Sequence, residues 1–249
     1  MQRKVERGLF TYLLMTIREM MCIHSMYRFS FRLASSFIAN STSFSSLRLY
    51  SLLWTGHSTV IDEIVDFFEQ TTVQQQPNNR KIGAVLASVG GGGLLCGILE
   101  GLERNYHSSN KIRSDMVRGS KVFACETEGA ASFAASFNSP DGSIVCLDGI
   151  NSIATSLGAT SVTPAVIQRS QRHRDRGEIN SSGEDVFSYV CTDSEAVQGC
   201  VQFSSAHRML VGKSFKVLIV LSHSLLKNSQ YDSLHRTSLW CIAGSFVFS

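Results

Sequence analysis

Four consecutive glycines, Gly90 to Gly93, stand inside the run Ser88-Val89-Gly-Gly-Gly-Gly-Leu94-Leu95-Cys96-Gly97. Residues without a Cβ allow positive φ and let a bound group approach the backbone closely. Successive N–H groups in such a turn converge on one point, and a following helix N-terminus adds favourable partial charge there. The chemistry that suits this arrangement is the capture of a phosphate. The pattern is not that of a nucleotide loop. G-x-x-x-x-G-K-[ST] fails here because no Lys-Ser or Lys-Thr follows the cluster, and Gly212-Lys213-Ser214 has His207 at the place of the first glycine. G-x-G-x-x-G fails because Gly91 and Gly93 lead to Cys96. A phosphate other than a nucleotide's is expected.

A phosphate loop needs a strand to aim it and a helix to back it. Ile82 to Val89 is an apolar run that reads as a strand, and Leu94 to Leu102 reads as a helix in which Gly97 and Gly101 permit close backbone approach. Before them, Ser58 and Thr59 are positioned to cap a helix, with Thr59-x-x-Asp62 as a capping box. Ile61, Ile64, Val65 and Phe68 would form its apolar face, and Pro77-Asn78-Asn79 would end the unit. After them, Lys121 to Cys125 reads as a strand and Gly129 to Phe137 as an alanine-rich helix. Ser139-Pro140-Asp141-Gly142 reads as a turn, followed by the short apolar run Ile144 to Leu147. Val186 to Cys191 is a further strand, Asp193 a cap for a helix reaching about Val211, and Lys216 to Leu221 a last strand. Strands alternating with helices predict an α/β fold with a largely parallel sheet flanked by helices. In such sheets ligands bind beyond the carboxyl ends of the strands, where Gly90 to Gly93 would lie.

Composition narrows the function classes. The chain has 249 residues, 43% hydrophobic and 17% charged, enough to bury a substantial core. A net charge of +3 is too small to call for nucleic acid. The basic cluster Arg169, Arg172, His173, Arg174 and Arg176 contains Asp175 and lacks interleaved aromatics, so it reads as a solvated helix end or loop. The seven cysteines form no C-x-x-C and no zinc-ligand spacing, and are read as thiols in a reducing compartment. No apolar run of about 18 residues is present, so no membrane partner is expected. Residues 1–51 differ from the rest: seven Lys or Arg against two acids in the first fifty, with eight serines between Ser30 and Ser51. That is the composition of a transit peptide; a misassembled start is the competing expectation. The reading divides the chain into this segment, an α/β domain over 52–211, and a divergent segment over 212–249.

Four ordered segments carry a family resemblance. Ser88 to Gly97 resembles the glycine loop of the L-serine/L-threonine dehydratases, pyridoxal-phosphate enzymes of the tryptophan-synthase β-like fold (fold type II). Leu53-Trp54-Thr55-Gly56-His57-Ser58-Thr59, Glu126-Thr127-Glu128-Gly129-Ala130-Ala131-Ser132 and Ile150-Asn-Ser-Ile-Ala-Thr-Ser-Leu157-Gly158-Ala159 resemble three further segments of that family, in the same order. The similarity runs from about Leu52 to Val211.

The resemblance implies pyridoxal 5'-phosphate as cofactor, its phosphate held by Gly90, Gly91, Gly92, Gly93 and Leu94. It also implies a monovalent or divalent cation at Gly90, Glu126, Ala130, Leu157 and Ala159, chiefly on backbone carbonyls. Glu126, which would otherwise read as a solvated acid at a strand end, becomes its one carboxylate. The implied reaction is β-elimination of L-serine or L-threonine to a 2-oxo acid and ammonia, with the cofactor as electron sink. The expected setting is the cytoplasm, or the mitochondrion if residues 1–50 are a transit peptide, with a homodimer as an expected partner state.

The family's cofactor lysine lies in a Ser-Phe-Lys-x-Arg-Gly-like motif ahead of the glycine loop, and only Lys4 precedes residue 52 here. Ser214-Phe215-Lys216 mimics the motif but falls after the loop. Most of the family's small N-terminal domain is thus expected to be missing, and no catalytic residue is assigned. Ser222 is a candidate partner for the pyridine nitrogen, followed by His223 and Ser224 where glycines are expected. The alternative function is a non-catalytic truncated remnant that binds phosphate, the cofactor or a partner chain.

Overall fold

The computed structural model describes residues 46–71, 81–179, 186–208, 217–218, 220–221 and 238–242. The apolar run ahead of the glycines forms strand β1, Ile82–Ser88, every residue of it buried. The chain then enters α2, Gly93–Tyr106, followed by α3, Lys111–Val117, and β2, Lys121–Thr127. Helix α4 is Ser132–Phe137, α5 is Pro164–Ile179, β3 is Val186–Cys191, α6 is Asp193–His207 and β4 is Ser238–Ile242. Ahead of them all lies α1, Ser46–Thr71. The four strands order as β3-β2-β1-β4, and every neighbouring pair is parallel. In β1 and β2, Val85 pairs with Val122 and Ser88 with Cys125. Strand β2 therefore runs past the end of β1, through Glu126 and Thr127.

Both faces of the sheet are covered, as the continuous apolar strands require. One face, with Val85, Ala87, Val122 and Ala124, packs against Ile61, Ile64, Val65, Leu95, Ile98, Leu99, Phe133 and Val166. The other, with Ala84, Leu86, Phe123 and Cys125, packs against Ala196, Phe203, Val217, Leu218 and Leu221. This is the α/β architecture expected, a parallel sheet between helices. No helix among the described residues is long and apolar enough to cross a membrane.

Several local expectations are corrected. Thr59 does not cap a helix, because α1 begins at Ser46 and Thr59 lies inside it. The Ser58 and Thr59 hydroxyls instead donate back to the carbonyls of Thr55 and Gly56, at 2.7 and 3.0 Å, which removes their pull toward a helix end. The apolar face holds: Ile61, Ile64, Val65 and Phe68 are all buried. The alanine-rich helix starts at Ser132 rather than Gly129, whose φ of 76° a helix cannot include. Asp193 is not a cap; Thr192 is, in a capping box with Glu195. Val217, Leu218, Val220 and Leu221 are helical, not strand, since a short buried apolar run carries no period that separates the two. The basic cluster begins inside α5, where Arg169 pairs with Glu100 at 3.1 Å and lies over the Trp54 ring, so this member is not simply solvated. Pro77 to Asn79, Lys213, Lys216, Ser222, His223 and Ser224 lie outside the described residues.

Helices α1 and α2 cross at their glycines. A Cβ on Gly97 would fall 2.4 Å from His57 Cβ and 2.8 Å from the Trp54 carbonyl; one on Gly101 would fall 2.5 Å from the Ser58 carbonyl. Gly97→Ala is expected to push the helices apart and cost about 2 kcal/mol. Urea unfolding of this variant beside the parent chain checks the figure, and an unchanged midpoint would show that the crossing gives way freely.

Candidate functional site

The site forms where β1 and β2 end. Val89 N–H still donates to Cys125 O, at 3.0 Å, so the glycines leave the sheet beside Glu126 and Thr127. Gly92 takes φ 88° at the entry to α2, and its carbonyl accepts the first helical bond, from Cys96 N, at 2.9 Å. The first amides of any helix have no partner within it. Here the N–H groups of Gly90 to Leu95 meet no acceptor among the described residues, and the buried Ser88 hydroxyl likewise has no partner there. Unpaired donors at a helix start are the kind of arrangement that can receive an anion.

The loop is braced from two sides. Thr163 N–H donates to the Gly91 carbonyl at 3.1 Å, and Val166 of α5 fills the space where a Gly92 Cβ would stand. Gly91 itself has nothing within 4 Å of its Cβ position, so the space above it is open. Trp54 Nε1 lies 3.6 Å from the Gly93 Cβ position. Behind the loop, burial holds His57 below its ordinary pKa, opposed by a hydrogen bond with the Gly93 backbone. Burial also pushes the Cys96 thiol up to about 12, so it is neutral and no nucleophile. Gly90, Gly91, Gly92, Gly93 and Leu94 thus form the turn between β1 and the first residues of α2.

Of the residues expected around a cation, Gly90 and Leu157 are brought together: the Leu157 carbonyl oxygen lies 3.3 Å from the Gly90 Cβ position. That carbonyl also accepts Ala159 N–H, at 2.9 Å. Ala130 follows Glu126 in the turn after β2, its N–H donating to Thr127 O at 3.0 Å. Glu126 is fully buried, contrary to a solvated acid, and its two oxygens accept the Phe133 and Ala134 N–H groups of α4, at 2.9 and 2.8 Å. No cluster of three or more His, Cys, Asp or Glu that could hold a metal occurs among the described residues. Carbonyl oxygens with one carboxylate are the donor set of a hard cation, and each Glu126 oxygen keeps lone-pair capacity beyond its amide bond. Of the five residues, the contact between Gly90 and Leu157 is the one the structure displays.

Burial pushes the Glu126 carboxyl from its ordinary 4.5 up to about 7, against the downward pull of the Phe133 and Ala134 amides. The folded chain therefore keeps a proton that the unfolded chain releases. This contribution is complete below pH 4.5 and is lost as the pH rises through 7. Without added cation, stability is expected to fall by about 3 kcal/mol across that window. Glu126→Gln should flatten the profile, as denaturant midpoints measured at several pH values will show.

Sequence reasoning missed a hydrogen-bond cluster beside the loop. Asp193 accepts the Ser152 hydroxyl and Ile153 N–H, at 2.8 and 2.9 Å, and Ser152 Oγ lies 2.7 Å from Thr127 Oγ1. The signal was present in Thr192-x-x-Glu195, a capping box that leaves Asp193 free for another task.

Comparison with known proteins bears on this geometry. A family described as pyridoxal-phosphate dependent enzymes matches residues 29–230. An L-serine dehydratase/L-threonine deaminase of Bos taurus is 32% identical over 189 residues, 76% of this chain and 48% of the relative. An L-serine dehydratase of Saccharomyces cerevisiae (strain AWRI1631) is 30% identical over 159 residues, 64% of this chain and 39% of the relative. The chain thus spans less than half the length of these two enzymes. Among solved structures, a fungal L-serine ammonia-lyase from Rhizomucor miehei matches with a TM-score of 0.56 and 25% identity, covering 79% of this chain and 52% of that one. Maize serine racemase shares the fold at a TM-score of 0.51 and 18% identity, covering 80% of this chain and 50% of that one.

Proposed function

Because the chain belongs to the family of pyridoxal-phosphate dependent enzymes, we propose that it carries the phosphate-binding part of an L-serine/L-threonine dehydratase. The observation that carries the reading is the glycine cradle, with its unpaired amides at the helix start and open space over Gly91. When bound, pyridoxal phosphate supplies an electron sink for the pair left as the amino acid loses its α-proton. The chain's own residues would do the holding. Amides from Gly90 to Leu94 donate to the phosphate oxygens, and the α2 N-terminus favours their charge. A cation at Gly90, Glu126, Ala130, Leu157 and Ala159 would keep Glu126 ionised and tie the 150–159 loop to the glycine loop. In the whole reaction the hydroxyl leaves as water and water then replaces the amine, giving a 2-oxo acid and ammonia.

A second reading, binding without turnover, is supported by the placement of the lysines among the described residues; Lys4, Lys213, Lys216 and Lys227 lie outside them. Lys81 adjoins the amino-terminal end of β1, and Lys121 begins β2. Lys111 opens α3 after α2 has run back from the site, and is exposed. These three described lysines lie toward the end of the sheet opposite the glycines. The test is borohydride reduction of the full chain with pyridoxal phosphate, followed by peptide mapping and a 2-oxo acid assay with L-serine. A stoichiometric adduct on one lysine with turnover supports the dehydratase. Binding without a specific adduct or turnover supports the second reading, and failure to bind sinks both.

A further inference from the structure

We propose that Asp193 is a positioning residue for this site, a clamp that sets the 150–159 loop against Gly90. Its relevance to the cofactor rests on the function proposed above. Asp193 has no capping work, because Thr192 and Glu195 already satisfy the start of α6. Its carboxylate instead reaches a segment about forty positions earlier, taking Ser152 Oγ on one oxygen and Ile153 N–H on the other.

The donors and acceptors at Ser152 fix the direction of the network. Ser152 has one hydroxyl proton, and the carboxylate takes it. Ser152 Oγ accepts Ala154 N–H, at 3.0 Å, so Thr127 must be the donor in the 2.7 Å contact between the two hydroxyls. The end of β2, the loop and the start of α6 are thereby joined through one side chain. The loop has little structure of its own to hold it, a single 3-10 turn at Thr155–Leu157. That turn begins one residue beyond Ala154, and it ends at the Leu157 carbonyl packed on Gly90. Hydrogen bonds to a charged acceptor are the strong kind, so the carboxylate governs where Leu157 sits.

The test uses the full chain and the variants Asp193→Ala, Asp193→Asn and Ser152→Ala. Two readouts are taken: amide exchange, and titration with pyridoxal 5'-phosphate. In Asp193→Ala, exchange at Ala154 and Leu157 is expected to accelerate about tenfold or more while β1 and β2 keep their protection. Cofactor affinity should fall about tenfold. Asn can accept Ile153 N–H and, once Ser152 turns its own proton to Thr127, donate to Ser152 Oγ, so Asp193→Asn should recover part of both. If Asp193→Ala does not fold, Ser152→Ala removes the hydroxyl half of the clamp without touching α6, leaving Ile153 N–H on Asp193, and a smaller acceleration at Ala154 and Leu157 is then expected.

Parent-like exchange and affinity in Asp193→Ala, or in Ser152→Ala should the former not fold, would overturn the proposal. So would loss of protection spread evenly over the strands, which marks a merely structural role. Should the parent chain fail to bind pyridoxal phosphate, the function proposed above is lost, while the exchange readout still decides the clamp.

Discussion

Gly129→Ala is expected to cost about 4 kcal/mol and to dislodge the 150–159 loop. Two costs combine. Gly129 has φ 76°, where an L side chain is strained by about 1 to 2 kcal/mol. An added Cβ would also lie 2.0 Å from the Asn151 carbonyl oxygen, which is backbone and has no rotamer to escape into. Overpacking of that kind adds about 1 to 3 kcal/mol. Relief requires Asn151 to retreat, which breaks its N–H bond to the Gly129 carbonyl, now 2.9 Å. Gly129→Asn separates the terms, because asparagine tolerates positive φ but still carries the Cβ. Equal loss in both variants, by denaturant unfolding, would place the cost in the contact with Asn151. A well-folded Gly129→Asn would place it in the strain.

The second large effect separates binding from folding inside the cradle. Gly92→Ala puts a Cβ 2.8 Å from Val166 Cγ1 at φ 88°. It is expected to lose about 2 to 4 kcal/mol of stability together with pyridoxal phosphate affinity. Val166→Ala in the same chain should return part of the stability, since the contact is relieved and the φ strain stays. Gly91→Ala meets nothing within 4 Å, so folding should be unaffected. Its methyl would stand in the open space over the loop, and affinity should fall about a hundredfold. Thermal midpoints and cofactor titrations on the same samples check both halves. Parent-like affinity in Gly91→Ala would mean that the phosphate lies elsewhere.

What could be read from the chain alone followed the range of the interactions. The strand, glycine loop and helix from Ile82 to Leu102 are contiguous, and local periodicity with local backbone freedom was enough to place them. Parallel pairing followed from alternation of strand and helix. The start of α1 was misplaced because Ser58 and Thr59 carry a capping composition while their hydroxyls are satisfied inside the helix. Strand β4 was missed and a strand was expected at 216–221 instead, because short buried apolar runs look alike in either state. Helix α3 was also missed, though Asn110 caps it by accepting Ile112 N–H at 3.0 Å. At the site, the cradle was legible because it is one segment. The brace from Val166 and the clamp from Asp193 were not, since each joins residues that only the fold brings together.

The central claim is that the amides at the start of α2 hold the phosphate of pyridoxal phosphate. Its most direct test is to follow the backbone amide resonances of the full chain through parallel titrations with pyridoxal 5'-phosphate and with pyridoxal. The account predicts saturable shifts concentrated at Gly90 to Leu95 with the phosphorylated compound and none there with pyridoxal. Shifts of the same size with both compounds, or a perturbed set that leaves Gly90 to Leu95 unmoved, would contradict it.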